Sequence, residues 1–338
     1  MTVLVTGAAG FLGINMVRRL ASDGHRVVGL DTVTLPRGVR SAAFGDYPHV
    51  VDVRGDVCRP GDLADAIGRY RVTRIVHLGA VTVARDEGPA RTHTAVRVNV
   101  AGTQNVLAAC AQHRVARCVI ASSSAVYGDA VFGPEPVAEG ASVTPQSLYG
   151  ITKLAAEELA IAALLRDGVD AVVARLTALF GPWECPTGSR TLPSPLWQIL
   201  TMADAGRRIT VAGRGHRDWT YVEDAATALA SLLTAARPRH RIYNVGCGVV
   251  WSPAVLAELL KTSHPGFDFA VAERETNLNY GDDLTRTRQP LDSGRLRSEY
   301  GTVFASPESA CRRYYLWWQQ YRHHVSQPLS RVSGGATV

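Results

Sequence analysis

Val3-Leu4-Val5-Thr6-Gly7-Ala8-Ala9-Gly10-Phe11-Leu12-Gly13 is the stretch that decides the fold. Val3 to Thr6 read as a buried strand, the glycines as a tight turn, and residues 11–23 as a helix. Gly7, Gly10 and Gly13 let the backbone come close to a ligand. The helix start adds unpaired N–H groups and positive potential, which together suit a pyrophosphate. The spacing is G-x-x-G-x-x-G rather than the usual G-x-G-x-x-G, so the order strand, loop, helix carries the reading.

The same alternation continues outward. Residues 26–30, 50–53, 74–78, 117–121 and 171–175 read as strands, and residues 60–69, 98–113 and 148–166 as helices. Strands that are apolar on both faces and alternate with helices predict a parallel sheet covered on both sides. Right-handed crossovers then give an α/β, doubly wound (Rossmann) fold. From Gly181 the texture changes, with Pro182, Pro186, Pro193, Pro195 and Gly188. A smaller mixed α/β substrate lobe is expected there, while Ile242-Tyr243-Asn244-Val245 predicts a strand returning to the sheet. The expected organisation is a dinucleotide domain over 1–180, with a returning segment at about 212–250. Residues 181–211 and 251–325 would form the lobe, and 326–338 a frayed tail.

The chain has 338 residues and 46% hydrophobic content, enough for a full-sized core, which excludes dominant disorder. No run reaches the ~18 apolar residues needed to cross a bilayer. The opening Met1-Thr2-Val3 lacks a basic stretch before a long apolar region, so no secretory signal and a cytoplasmic location are expected. A net charge of +6 raises nucleic acid as a partner, but the arginines are scattered and form no block, so none is expected. An anionic small molecule fits instead. Lysine occurs only as Lys153 and Lys261. The six cysteines form no C-x-x-C pair and none sits beside a His at ligand spacing, so they read as reduced and no metal is expected.

Asp31 follows the second strand, 18 residues after Gly13. A carboxylate there accepts from the adenosine ribose hydroxyls and favours NAD. Its plain alternative is a turn or cap aspartate, and nearby Arg37 and Arg40 keep NADP open. Asp56 faces the adenine or simply closes a turn. Tyr149-Gly150-Ile151-Thr152-Lys153 opens a helix, and residues four apart share a face. A tyrosine of free pKa about 10 becomes a base near neutral pH when an ammonium stabilises its phenolate. Ser122-Ser123-Ser124 follows the strand ending at Ala121, at the carboxyl edge where ligands of such folds collect.

Thr6 to Gly13, Asp31, His77-Leu78-Gly79-Ala80, Asn99-Val100-Ala101-Gly102-Thr103, Ser122 to Gly128 and Tyr149 to Lys153 together resemble the extended short-chain dehydrogenase/reductases. The likeness is greatest to their NAD-dependent epimerase/dehydratase branch, of nucleotide-sugar 4-epimerase type, and runs to about Gly301. It implies NAD as cofactor, Tyr149 as general base, Lys153 as its activator and ribose holder, and Ser123 as the partner hydroxyl. It implies cofactor contacts from Gly7, Gly10, Phe11, Leu12, Gly13, Asp31, Asp56, Val57, Leu78, Ala80 and Asn99, besides Tyr149 and Lys153. Asn99 would serve as a structural or relay asparagine, or else as a helix cap. Substrate contacts would come from Thr82, Ser123, Ser124, Arg217 and Arg288, the two arginines on a diphosphate. Helices near 99–113 and 148–166 would pair with those of a second copy in a homodimer.

The departures narrow the reaction. Dehydratases of the family resemble T-D-E-V-Y-G at the serine motif, where this chain has Ser124 and Ala125 in the acidic positions. Double epimerases place Cys at the Ala125 position and add Lys or His where Thr187 stands. Ala178 replaces the usual substrate-holding Asn, and Cys185 reads as packing. The expected reaction is epimerisation of a nucleotide sugar through a transient ketone. Net reduction or oxidation of a keto-sugar or other small carbonyl is the alternative, and a catalytically silent NAD-binding protein the third reading.

Overall fold

The computed structural model describes residues 1–83, 88–186, 192–264, 266–272, 278–279 and 287–325. Its first half alternates β1 (Thr2–Thr6), α1 (Phe11–Ser22), β2 (Arg26–Asp31), α2 (Arg37–Phe44), β3 (Val50–Arg54), α3 (Pro60–Tyr70) and β4 (Arg74–His77). Next come α4 (Pro89–Val96), a π-helical turn (Arg97–Gly102) and α5 (Thr103–His113), which run on without a break. β5 (Arg117–Ser123) leads into a 3₁₀ segment (Ser124–Phe132), then α6 (Leu148–Asp167) and β6 (Ala171–Leu176).

The second half holds β7 (Ala178–Phe180), α7 (Pro195–Asp204), β8 (Ile209–Val211), β9 (Trp219–Tyr221) and α8 (Val222–Thr234). It ends with β10 (Ile242–Val245), α9 (Ala254–Ser263), β11 (Phe269–Val271), α10 (Gly294–Tyr300) and α11 (Pro307–Tyr321). Seven strands form one sheet in the order β10-β6-β5-β4-β1-β2-β3, all neighbours parallel. β10 returns beside β6, as its apolar run predicts. The short strands pair separately, β8 with β11 and β7 with β9.

Strand pleating splits the core into two layers. Val3, Val5, Val27, Val76, Val119 and Val172 point into one, which α1 and α8 cover. Leu4, Val28, Ile75, Ile120 and Val173 point into the other, against α3, α5 and α6. The first layer does not stop at the sheet: it runs on through Phe180, Trp251 and Leu260 to Tyr314 and Trp318 of α11.

Strand order reverses on the two sides of β1, so a crevice opens between the carboxyl ends of β1 and β4. There a Cβ on Gly7 would lie 2.8 Å from the Gly79 nitrogen, so only glycine allows the two loops to touch. The helix expected at 98–113 begins instead at Pro89, because the π turn breaks its 3.6-residue period at Arg97. Sequence periodicity also passed over α2, a short helix interrupted by Gly38 and Arg40. Thr187 and the expected frayed tail lie outside the described residues. Among the described residues no helix is long and apolar enough to cross a membrane, and no group of three or more His, Cys, Asp or Glu stands ready to hold a metal.

Candidate active site

The loop after β1 is closed by its own backbone and by one carboxylate. Gly7, at φ +69°, donates its N–H to Leu30, and its carbonyl accepts from Gly10 at 3.1 Å. Gly10 caps α1, whose first residues Phe11 and Leu12 are half-buried. A Cβ on Gly13 would sit 2.0 Å from the Gly7 carbonyl, so α1 can lie this close to the loop only through a glycine. The Asp31 carboxylate accepts from Ala9 N–H at 3.0 Å and Val33 N–H at 3.1 Å, and burial raises its pKa. It therefore shapes the loop besides facing the cavity of about 180 Å³ that Ala8, Ala9, Gly29, Asp31, Val33, Asp52 and Arg54 help to line. Bare glycine backbone, a helix start and a carboxylate beside an open cavity fit a dinucleotide. Arg40 is bonded to Asp52 and Val50.

The Asp56 carboxylate accepts from Cys58 N–H at 2.9 Å, which closes a turn. Val57 is buried against Gly102, where a Cβ would come 2.8 Å from it. Leu78 and Ala80 continue β4 into the crevice, half-buried, with Leu78 N–H on the Thr6 carbonyl.

Tyr149 and Lys153 rise from the first turns of α6, which Ser147 caps by accepting from Gly150 N–H. Lys153 is 6% exposed, and its ammonium donates to the Ala121 carbonyl of β5 at 2.9 Å. It lies 5.8 Å from the Tyr149 ring centroid. Burial lowers its pKa to about 8, and the charge of Glu157 opposes that fall. Ser123 ends β5 two residues beyond Ala121, half-buried, and its Oγ accepts from Ala125 N–H at 3.2 Å. Phenol, amine and hydroxyl thus come from the facing ends of one helix and one strand.

Asn99 belongs to the π turn and is not a cap. Its side chain clasps both backbone groups of Val81, accepting from N–H at 2.8 Å and donating to the carbonyl at 2.9 Å. It also donates to Thr152 Oγ1, which in turn donates to the Tyr149 carbonyl. The loop after β4 is thereby tied to the helix that carries the tyrosine. His77 joins β1 to the same turn: Thr6 Oγ1 lies 2.7 Å from Nδ1, and Nε2 lies 3.0 Å from Thr103 Oγ1. Thr103 donates to the Asn99 carbonyl, so Nε2 carries the proton and Nδ1 accepts. Full burial, with Lys153 adding repulsion, lowers the His77 pKa to about 3, so the ring is neutral.

Just before β9, Arg217 adjoins His216, whose carbonyl accepts from Arg288 N–H at 2.9 Å. Their guanidiniums lie over Trp219 and Phe132 respectively. Buried Asp218 anchors this edge, accepting from Cys247, Gly248 and Leu291 N–H groups. Thr82 is exposed, and its carbonyl accepts from Arg91. Ser124 is half-buried beside Ser123.

Comparison with known proteins decides the family. The NAD dependent epimerase/dehydratase family matches residues 3–246. The chain belongs to that family. It is similar to a dTDP-glucose 4,6-dehydratase of Streptomyces niveus, at 33% identity over 94% of this chain and 95% of the relative. Among solved structures it shares the fold of the UDP-glucuronic acid 4-epimerase of Bacillus cereus, at TM-score 0.75 and 22% identity, covering 95% of this chain and 99% of the other. MoeE5, solved with UDP-glucose and NAD, matches at TM-score 0.71 and 27% identity, over 95% of this chain and all of that one, 100%.

Within this NAD-dependent family member, Asn99, Tyr149 and Lys153 are linked through α6, and Ser123 lies two residues beyond the Ala121 carbonyl that Lys153 holds. Asp31 lines the cavity with Ala8 and Ala9 of the same loop, which Gly7, Gly10 and Gly13 shape. Sequence reading missed a buried set behind the site. Ser122 donates to the Glu157 carboxylate, which Arg175 also grips, with Nη2 to Oε2 at 2.6 Å. The available signal was a charged residue four positions after Lys153, on the same buried helix face.

Proposed function

We propose that this protein is an NAD-dependent epimerase of a nucleotide sugar, inverting one carbinol through a transient keto-sugar. One observation carries the choice within the family: Ser124 and Ala125, next to Ser123 at the head of the 3₁₀ segment, present a hydroxyl and a methyl. Expelling water from a sugar needs an acid beside the leaving hydroxyl, and neither residue can be one. Relatives named as dehydratases make dehydration the reading to be beaten.

Gly7, Gly10, Gly13 and Asp31 would hold NAD, with Asn99 fixing the Val81 backbone that borders it. NAD when bound supplies an acceptor for hydride from the carbinol carbon. Tyr149 takes the hydroxyl proton, and Ser123 hydrogen-bonds the same oxygen as it becomes a carbonyl. Lys153 keeps the phenolate favourable by its charge. The proton then returns from Tyr149 when the sugar is reduced on its other face. Arg217 and Arg288 would take the diphosphate, as substrates named for related structures suggest. A homodimer through α5 and α6 fits the outward face of α6, where Ile151, Ala162 and Leu165 are exposed.

A panel of UDP- and dTDP-sugars with catalytic NAD tests the reading, following epimer formation, loss of water and absorbance of the reduced coenzyme. Epimer without net reduction is expected. A 4-keto-6-deoxy product refutes the reading in favour of dehydration. Stoichiometric coenzyme turnover refutes it in favour of a keto-sugar reductase.

A further inference from the structure

We propose that Glu157 is a positioning residue for the reacting group, binding the serine strand to the tyrosine helix and supplying the negative charge that keeps the Lys153 amine an ammonium. The inference rests on the reading of Tyr149, Lys153 and Ser123 as the reacting group.

Glu157 lies one helical turn beyond Lys153 and is 1% exposed. Its carboxylate is bound from two strands at once. Ser122, the neighbour of Ser123, donates from β5, and Arg175 donates from β6 with Nε at 3.0 Å from Oε1. The guanidinium also donates to the Glu139 carbonyl at 3.2 Å and lies 4.8 Å from the Tyr127 ring centroid. One carboxylate therefore locks α6, β5, β6 and the 3₁₀ segment into a single register.

A buried carboxylate is costly unless several donors meet it. The sequence nevertheless keeps it beside the amine, where it counters a loss of charge. Around that amine, Tyr149 and Glu157 come from α6 and His77 from β4. His77 is neutral, as shown above. Glu157 is the group whose charge pulls the amine toward its protonated form.

Two lysines in the whole chain make a direct test possible. Protein labelled with ¹³C at lysine Cε gives signals from Lys153 and Lys261 alone, the latter identified with Lys261→Arg. Titrated without substrate, Glu157→Gln is expected to lower the Lys153 midpoint by about one pH unit or more. Glu157→Asp keeps the charge but reaches Ser122 and Arg175 less well. It is expected to hold the midpoint within a few tenths while kcat falls about tenfold. If Glu157→Gln does not fold, the double variant with Arg175→Met is compared with Arg175→Met alone, so that only the carboxylate differs; the midpoint should again be lower. A folded variant lacking the carboxylate whose Lys153 midpoint stays put overturns the proposal. The titration needs no turnover, so a wrong assignment of reaction shows in the sugar panel and leaves this result standing.

Discussion

Lys153 bears on stability as well as on the proposed chemistry. Its folded pKa of about 8 lies below the ordinary 10.5, so folding penalises the charged form. That penalty is present in full below pH 8 and fades as pH rises toward 10.5, where the unfolded chain also loses the proton. Lys153→Met should therefore stabilise the unliganded protein at pH 7 by ~2 kcal/mol, after allowing for the lost bond to Ala121. The gain should be gone at pH 10.5. Urea unfolding at the two pH values checks this, and a gain that does not shrink with pH refutes it. Asp31 makes a second case, because it holds the loop and would, on the proposed function, also bind NAD. Asp31→Ala should weaken NAD binding about tenfold or more, as expected for a lost charged acceptor, and calorimetric titration measures it.

Among elements, the π turn Arg97–Gly102 matters most, since it aims Asn99 at Val81 and Thr152. Asn99→Ala would leave the half-buried peptide N–H and carbonyl of Val81 without their partner, a loss of about 1–2 kcal/mol in all. Denaturant unfolding should show that loss, together with a lower kcat; unchanged stability would contradict the role given to the clasp. This turn also marks the limit of what the sequence shows. The seven sheet strands are legible because each is apolar on the faces it buries, and Tyr149, Lys153 and Ser123 because they sit at predictable ends of α6 and β5. α2 and the three-residue strands β7, β8, β9 and β11 are too short for any period to register. The His77 and Glu157 networks join residues 26 to 71 and 18 to 35 positions apart, respectively, and no local pattern reports such pairs.

For the whole molecule, the proposed homodimer rests on the face of α6 that points away from the sheet. Ile151 and Leu165 are 52% and 81% exposed, and they lie on one side of that helix. The variant carrying both Ile151→Glu and Leu165→Glu should run as a monomer where the parent runs as a dimer, as light scattering after size exclusion would show. A parent that is already monomeric removes the seam from the account.

The hydrophobic layer that starts at Val3 and Val5 ends in Tyr314 and Trp318 near the other end of the described chain. Fragments cut after Phe180 would leave half of that layer facing water, so the N-terminal part should be insoluble when produced alone. By the same reasoning, coenzyme gripped at the first loop would slow proteolytic nicking throughout, including in the distant C-terminal helices that never touch it.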